Sequence, residues 1–270
     1  MSQESRANKS EITGLFNRVA EHFDQVGPET FARFGRLLVQ DAHLKPGTRV
    51  LDICTGRGAS LFPALHAVGP TGTVIGADLA WQMVYQTSQA HVDPKAHHSH
   101  ILSCMDAEQL AFSDETFDAL LCGFGIFFLD EQKALPEWRR VLRQGGQVGI
   151  SLSTQRDPHW DWYADQVREY HNRYSIPLTS GGVGLHRPEE VADALETVGF
   201  SGMTIFTHKL EVQYPDAETW WQTLWTHGSR YPLDHLSPEL LDQFKHEVLA
   251  VASQMDLTEQ RTLACIFGTK

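Results

Sequence analysis

Short apolar runs rich in β-branched residues recur between residues 49 and 153, separated by stretches with helical spacing. We predict strands near 49–53, 73–77, 100–104, 117–122 and 147–153. Strands that alternate with helices form a mostly parallel sheet, because a parallel neighbour is reached only through a crossover connection. The pattern therefore predicts an α/β fold with helices on both faces of the sheet.

The pattern changes after the fifth predicted strand. Residues 158–174 and 188–198 have the polarity pattern of helices, and the second of these begins with a proline. Further strands are predicted at 201–209 and 262–268, which brings the sheet to seven strands. No segment has the composition of a linker, so we expect one domain over residues 1–270.

Two segments lie outside this alternation. Residues 10–42 are predicted to form an N-terminal helical cap. Residues 215–255 are far longer than a hairpin between the last two strands requires, so we predict a helical lid there. Its tryptophans either line an acceptor pocket or anchor the inserted helices on the sheet, and the sequence leaves both interpretations open.

A glycine-containing turn follows the first predicted strand. Asp52 ends the strand, and Gly56 and Gly58 precede a stretch with helical spacing. Glycines allow a ligand to approach the backbone, and the start of a helix offers unpaired N–H groups. The second predicted strand ends in Asp78, where doubly wound folds place an acid that holds ribose hydroxyls. The turn and the acid together indicate a nucleotide-type site.

The turn differs from two common nucleotide loops. It lacks the Gly-Lys-Ser/Thr of a phosphate loop, and it lacks the first glycine of a dinucleotide fingerprint. Residues 52–58 instead resemble the first motif of class I S-adenosylmethionine-dependent methyltransferases, Asp/Glu-x-Gly-x-Gly-x-Gly, with Cys54 in place of the first glycine.

The resemblance extends well beyond the turn. Residues 76–80 with Met83 resemble the second motif of the family, and residues 105–112 resemble its adenine-contacting segment. Residues 117–122 and 138–146 resemble the fourth strand and the helix and turn before the fifth. In order and spacing, the segments are similar to small-molecule methyltransferases related to quinone and menaquinone C-methylation, from about residue 12 to 210 and again at 262–268.

This resemblance implies a Rossmann-like sheet and S-adenosylmethionine as cofactor. The glycines are expected to hold the methionine portion, Asp78 the ribose hydroxyls, and Asp106 with Ala107 the adenine, while Leu79 and Met83 pack on its face. Phe124, at the carboxyl end of the fourth strand, is expected near the transferring methyl group. The expected cofactor-binding residues are Asp52, Cys54, Gly56, Gly58, Asp78, Leu79, Met83, Asp106, Ala107 and Phe124.

Aromatic residues dominate the segments expected to receive the acceptor. We predict a substrate pocket lined by Phe16, Phe23, Phe127, Phe128, Trp221 and Trp225. Methyl transfer requires alignment and exclusion of water, and it requires a general base only when the nucleophile holds its proton. The candidate bases are His22, His186 and His227.

Charge and composition narrow the range of partners. A formal net charge of −12 without a basic cluster argues against binding to nucleic acid or to anionic membranes. No apolar segment approaches the length of a signal peptide or membrane span, so a cytoplasmic location is expected. The four cysteines lack metal-ligand spacing, so no metal site is expected. The oligomeric state stays open, and a homodimer is one of the options.

The sequence favours a methyltransferase that acts on carbon or oxygen of a small, largely apolar or aromatic acceptor of the kind found in secondary metabolism. Two alternatives remain open. A protein of this fold can bind the cofactor but catalyse a cyclisation or rearrangement, because a fold does not determine a reaction. The third option is a protein methyltransferase or a binding module.

Overall fold

A computed structural model describes residues 9–90, 99–155, 157–176 and 187–270. Seven strands form one sheet: β1 (Arg49–Ile53), β2 (Thr73–Asp78), β3 (Ser99–Cys104), β4 (Phe117–Gly123), β5 (Leu142–Gln155), β6 (Ser201–Gln213) and β7 (Thr258–Thr269). The α/β class, the Rossmann-like form and the seven-stranded sheet predicted from the sequence are confirmed.

The strand order is β3-β2-β1-β4-β5-β7-β6. Strands β1 to β5 are parallel to one another, whereas β7 runs antiparallel between β5 and β6. The last two strands are longer than predicted, because their pairing continues from the Ser201–Thr269 pair to the Gln213–Thr258 pair. This extension brings the amino-terminal part of β7 beside the carboxyl end of the parallel strands.

The helices in the described ranges are α1 (Lys9–Val19), α2 (Thr30–Asp41), α3 (Leu61–Val68), α4 (Trp81–Ser88), α5 (Glu131–Val141), α6 (Asp161–Arg173), α7 (Pro188–Thr197), α8 (Ala217–Thr223), α9 (Arg230–Leu233) and α10 (Pro238–Ala252). Side chains of α2 and α3 pack with Val50 on one face of the sheet. Those of α5 and α7 pack with Leu51 on the other. Because neighbouring strand residues face opposite ways, the central strands are apolar at nearly every position.

The N-terminal region consists of two helices, α1 and α2. The chain turns between α1 and α2, where the carboxylate of Asp24 accepts hydrogen bonds from the backbone N–H groups of Phe31 (3.1 Å) and Ala32 (2.7 Å). This carboxylate satisfies N–H groups that have no partner inside the first turn of a helix. The side chains of α1, including Leu15, pack against Met83 of α4.

The segment 215–255 contains helices α8, α9 and α10, and its aromatic residues pack α8 against α6 and α10. Trp220 is 3% exposed, and its ring lies 5.3 Å from that of Trp160, 5.7 Å from that of Trp162 and 5.3 Å from that of Tyr163. The tryptophans of α8 therefore anchor the inserted helices in a small core of their own. The role of the segment as a lid stays a prediction.

Replacing Trp220 by alanine tests this anchoring. Because the side chain is fully packed, Trp220→Ala is expected to lower the free energy of unfolding by about 3–5 kcal/mol. The control is Trp81→Ala, because Trp81 is 54% exposed and its loss creates no cavity. Urea denaturation measures both variants. Equal stability of the two would show that the aromatic cluster does not hold the segment in place.

Candidate functional site

A cavity of about 620 Å³ opens at the carboxyl end of the parallel strands. From β1 the chain continues to β2 on one side, and from β4 it continues to β5 on the other, so the strand order reverses between β1 and β4. Open α/β sheets bind ligands at such a reversal. The loops that follow the first four strands supply one part of its wall, including Cys54, Gly56, Asp78, Leu79, Met105, Asp106, Ala107, Gly123, Phe124 and Gly125. We call this space the central cavity.

The loop after β1 has three residues in the left-handed region, with φ of 52° at Cys54, 51° at Gly56 and 81° at Gly58. A Cβ added at Gly56 would meet no atom within 4 Å, and Gly56 lines the central cavity. A Cβ at Gly58 would lie 2.6 Å from the ring of Phe62. Gly56 thus leaves room for a ligand, whereas Gly58 serves the packing of the turn and does not line the cavity.

Cys54 occupies a backbone conformation that side chains rarely adopt. Its side chain lines the central cavity, close to Cys122 of β4. Contact with Cys122 and burial raise the pKa of the Cys54 thiol well above its usual value, so the thiol stays neutral. A small neutral side chain therefore replaces glycine here without adding charge to the ligand site.

The carboxylate of Asp78, at the end of β2, is hydrogen-bonded to the loop after β1. Its Oδ2 accepts the backbone N–H of Gly56 at 2.8 Å, and its Oδ1 accepts that of Ala80 at 2.9 Å. Each carboxylate oxygen has a second lone pair, and the side chain lines the central cavity, so both oxygens can also accept hydroxyl groups. Burial raises the pKa of Asp78, and its backbone hydrogen bonds act against this rise.

Asp52 lies beneath the loop and does not line the central cavity. Its side chain accepts the hydroxyl of Thr55 at 2.5 Å, and the residue is 1% exposed. Burial, together with the nearby charge of Asp78, raises the pKa of Asp52 to about 7. The structure therefore gives Asp52 a supporting position under the turn, and Asp52 and Gly58 are the two expected cofactor-binding residues that do not line the cavity.

Asp106, Ala107, Leu79 and Met83 all line the central cavity, and their role at an adenine stays a prediction. Ala107 is fixed through its carbonyl, which accepts the indole N–H of Trp138 at 2.9 Å. Lys9 was not expected at this site, and its Nζ donates to Asp106 Oδ2 at 2.8 Å. Lys9 is half exposed, so this pair contributes little to stability, but it brings α1 to the same wall.

Phenylalanines form another part of the wall. Phe124 stacks on Phe34 with ring centroids 5.0 Å apart and meets Phe31 edge to face at 5.4 Å. Phe16 meets Phe128 at 5.2 Å. The sequence did not point to Phe31, because its place depends on the turn before α2. The cavity thus brings together, from segments far apart in the chain, the rings of Phe16, Phe23, Phe31, Phe124, Phe127 and Phe128.

The three candidate bases have different positions. His22 is exposed and does not line the central cavity, and His186 is outside the described residues. His227 does line it, but burial and the nearby charge of Arg261 lower its pKa to about 3. The Nδ1 of His227 accepts the N–H of Ser229 at 3.3 Å, so the neutral ring carries its hydrogen on Nε2. His227 is therefore a hydrogen-bond donor at neutral pH and a weak base.

Trp221 and Trp225 do not line the central cavity. Trp221 is 4% exposed in the core between α8 and α10, and the ring of Trp225 lies under the guanidinium of Arg230 at 5.4 Å. The same insertion reaches the cavity through His227, Gly228 and Ser229. A series of aromatic residues in a sequence does not show whether the aromatic face of a helix meets a pocket or another helix. Here the aromatic face of α8 meets other helices.

Arg261 of β7 also lines the central cavity, and the sequence analysis missed it. Its Nη2 donates to Glu259 Oε2 at 2.9 Å and to the hydroxyl of Tyr214 at 3.4 Å. Its buried Nε has no hydrogen-bond partner among the described residues. The available signal was a charged residue directly before the apolar run of the last strand.

In the described part of the chain, one group of side chains has the residue types that bind metal ions. Side-chain ligand atoms of Asp41, His208 and Cys265 lie within 4.8 Å of one another, and His208 Nε2 is 2.6 Å from Asp41 Oδ2. The group joins α2 to β6 and β7 and does not line the central cavity. The expectation that the protein has no metal site stays a prediction.

In the described residues no helix is long and apolar enough to cross a membrane.

A model of the ubiE/COQ5 methyltransferase family matches residues 3–168. The nocamycin O-methyltransferase of Saccharothrix syringae is 29% identical over 238 residues, which cover 83% of this chain and 85% of that protein. The aklanonic acid methyltransferase of Streptomyces is 34% identical over a match that covers 53% of this chain and 65% of that protein. A demethylmenaquinone methyltransferase of Staphylococcus aureus is 30% identical over 56% and 63%, respectively.

Solved structures share the fold at lower sequence identity. The YcgJ protein of Bacillus subtilis aligns with a TM-score of 0.58 and 22% identity, over 88% of this chain and 98% of that one. The [4+2]-cyclase SpnF aligns with a TM-score of 0.53 and 19% identity, over 88% and 80%. At these identities the alignments establish the architecture of the sheet and helices.

The raised pKa of Asp52 predicts a pH-dependent stability. The folded protein holds a proton on this carboxyl up to about pH 7, whereas the unfolded chain releases it near the ordinary value of 3.8. The stability that the protonated group provides is present at low pH and is lost as the pH rises through 7. Asp52→Asn is therefore expected to reduce the fall in unfolding free energy between pH 5 and 8 by about 2 kcal/mol.

The measurement is urea denaturation at several pH values. The matched control is Asp165→Asn, because the Asp165 side chain is 66% exposed. Identical pH profiles for the wild type and Asp52→Asn would contradict the raised pKa.

Proposed function

We propose that this chain, which belongs to the ubiE/COQ5 methyltransferase family, methylates carbon or oxygen of a small, largely apolar or aromatic acceptor. As a member of that family it is an S-adenosylmethionine-dependent methyltransferase. The observation that carries the proposed acceptor class is the ring of phenylalanines that shares the central cavity with the loop after β1. Aromatic walls favour planar, apolar ligands.

The residues of the central cavity fit the cofactor. The open space above Gly56 admits a ligand against the backbone, and Asp78 offers lone pairs to a diol. Leu79 and Met83 give an apolar surface beside Asp106. When bound, S-adenosylmethionine supplies a methyl group activated on a sulfonium. The assignment of each residue to a part of the cofactor remains our proposal.

The protein's own residues align the acceptor and exclude water. Phe124 is held by its backbone N–H, which donates to the carbonyl of Ser151 at 3.0 Å, and its ring is fixed between Phe31 and Phe34. A fixed wall limits the orientations of a planar acceptor, and alignment is the main contribution an enzyme makes to such a displacement. The segment 215–255, our proposed lid, closes one side through His227 and its neighbours.

The relatives support a small-molecule acceptor. Three of them are named for the methylation of nocamycin, aklanonic acid and demethylmenaquinone. The matches to the second and third cover little more than half of this chain. The three names agree on a small-molecule acceptor but differ in its identity, so they do not identify the acceptor of this chain.

Gly56→Ala tests the ligand space above the loop after β1. The added methyl group would occupy this space and reduce affinity for S-adenosylhomocysteine by at least about 30-fold, a loss near 2 kcal/mol. The control is Gly69→Ala, because Gly69 has φ of 65° and equally open surroundings but does not line the cavity. Alanine strains the backbone in both variants, because both glycines have a positive φ, but only Gly56→Ala places a methyl group in the cavity and should lose affinity in calorimetric titration. Equal affinities would place the cofactor elsewhere.

A turnover assay tests the reaction. The protein is incubated with S-adenosylmethionine and a panel of hydroxynaphthalenes and naphthoquinones, and S-adenosylhomocysteine is measured together with the mass of each product. Phe124→Ala is expected to raise the KM for the acceptor at least about tenfold through lost apolar contact. Trp225→Ala, outside the cavity, should leave this KM unchanged. A product isomeric with its substrate, without S-adenosylhomocysteine, would favour the cyclisation alternative.

A further inference from the structure

His227 places a polar ring among the phenylalanines of the cavity wall. It meets Phe31 edge to face with ring centroids 5.8 Å apart, and Phe31 meets Phe124 in the same way at 5.4 Å. All three side chains line the central cavity. A planar ligand that packs on these phenylalanines therefore lies beside the imidazole.

The two ring nitrogens of His227 have different surroundings. Nδ1 accepts the backbone N–H of Ser229 at 3.3 Å, so the neutral ring carries its hydrogen on Nε2. No hydrogen bond joins Nε2 to a described residue, and Nε2 is not one of the fully enclosed polar atoms that lack a partner, a group that includes Arg261 Nε. Nε2 therefore keeps accessible surface, and its N–H is available to a ligand.

The ring of His227 borders two spaces of very different size. The smaller one has a volume of about 10 Å³ and is also lined by Asp24, Tyr214 and Arg261. A space of this size holds at most about one water molecule. The central cavity, of about 620 Å³, is large enough for an aromatic ligand. An organic acceptor therefore reaches His227 only from the central cavity.

The titratable groups around the ring keep it neutral. Burial and the charge of Arg261 on β7 lower the pKa of His227 to about 3. Asp24, in the turn before α2, already accepts two backbone N–H groups, and Tyr214 donates its hydroxyl to Glu259 at 3.0 Å. Their hydrogen bonds are thus made elsewhere. At neutral pH the ring keeps its single N–H, so it is a fixed donor and neither an acid nor an effective base.

We propose that the Nε2–H of His227 donates a hydrogen bond to a carbonyl oxygen of the acceptor and thereby sets the orientation of the acceptor against Phe124. This inference rests on the proposed methyltransferase function. Stacking on phenylalanine rings leaves several in-plane orientations open, and one directional hydrogen bond selects among them. A neutral donor also needs no counterion in an apolar wall. In this role His227 contacts the acceptor but takes no proton from it.

The test uses matched pairs of probes that differ by one carbonyl group. 4-Chromanone is compared with chromane, and 1-tetralone with tetralin. Calorimetry measures the binding of each probe to the full chain saturated with S-adenosylhomocysteine. In at least one pair, the wild type is expected to bind the ketone about fivefold more tightly than the compound without the carbonyl, the effect of one neutral hydrogen bond.

Variants of His227 isolate the donor. His227→Leu should remove the preference for the ketone and leave the affinity for chromane or tetralin within about twofold of the wild type. His227→Gln should retain part of the preference, because its side-chain amide still donates. The control is His246→Leu, because His246 is exposed on α10 and does not line the cavity; it should behave as the wild type. Unchanged affinity for S-adenosylhomocysteine shows that each variant is folded.

Turnover separates a donor from a general base. A glutamine amide donates a hydrogen bond but takes up no proton at neutral pH. With any acceptor methylated by the wild type, His227→Gln should therefore keep more of kcat/KM than His227→Leu. If His227→Gln keeps the binding preference but falls as far in kcat as His227→Leu, His227 removes a proton and the inference is wrong.

The binding outcomes separate this inference from the proposed function. The donor role is wrong if the wild type prefers the ketone in neither pair, if the preference survives in His227→Leu, or if His227→Gln has lost it entirely. Methyl transfer by the wild type would then still support the proposed function. If the wild type fails to bind S-adenosylhomocysteine at all, the proposed function itself fails.

Discussion

The hydrogen bond from the N–H of Gly56 to the carboxylate of Asp78, 2.8 Å long, fixes the loop after β1 against the end of β2. The wall of the central cavity depends on it. The bond holds Gly56 in a left-handed conformation with its open side toward the cavity, and it orients Asp78 in the same direction. A carboxylate that is already held by two backbone donors needs no rearrangement to accept a ligand, and such preorganisation lowers the cost of binding.

Charged side chains of both signs lie around the cavity. Asp52 and Asp78 are buried close together beneath and beside the loop after β1, and their repulsion adds to the effect of burial in raising the pKa of Asp52. A ligand that carries a positive charge relieves this repulsion. Arg261, which lines the cavity from β7, is neutralised by its ion pair with Glu259. The cavity thus favours a cation near the loop after β1.

Several residues that the sequence expected at the cofactor share one cavity, because their signals are local. Gly56 and Asp78 lie at or just after the carboxyl ends of the neighbouring strands β1 and β2, so their spacing alone places them at one edge of the sheet. The rest of the cavity wall depends on packing between distant segments. Arg261 reaches the cavity because β7 begins earlier than its apolar run suggests and pairs Arg261 with Leu210. Trp221 was misplaced because an aromatic residue fits a helix interface as well as it fits a pocket.

The family model covers one part of the cavity wall and not the other. The family model ends at residue 168, so it includes the loops of β1 to β4 but neither His227 nor Arg261. Those two residues come from an insertion and from β7, and neither takes part in the hydrogen bond between Gly56 and Asp78. Acceptor specificity can therefore diverge while the cofactor side is retained, and a shared family does not imply a shared acceptor.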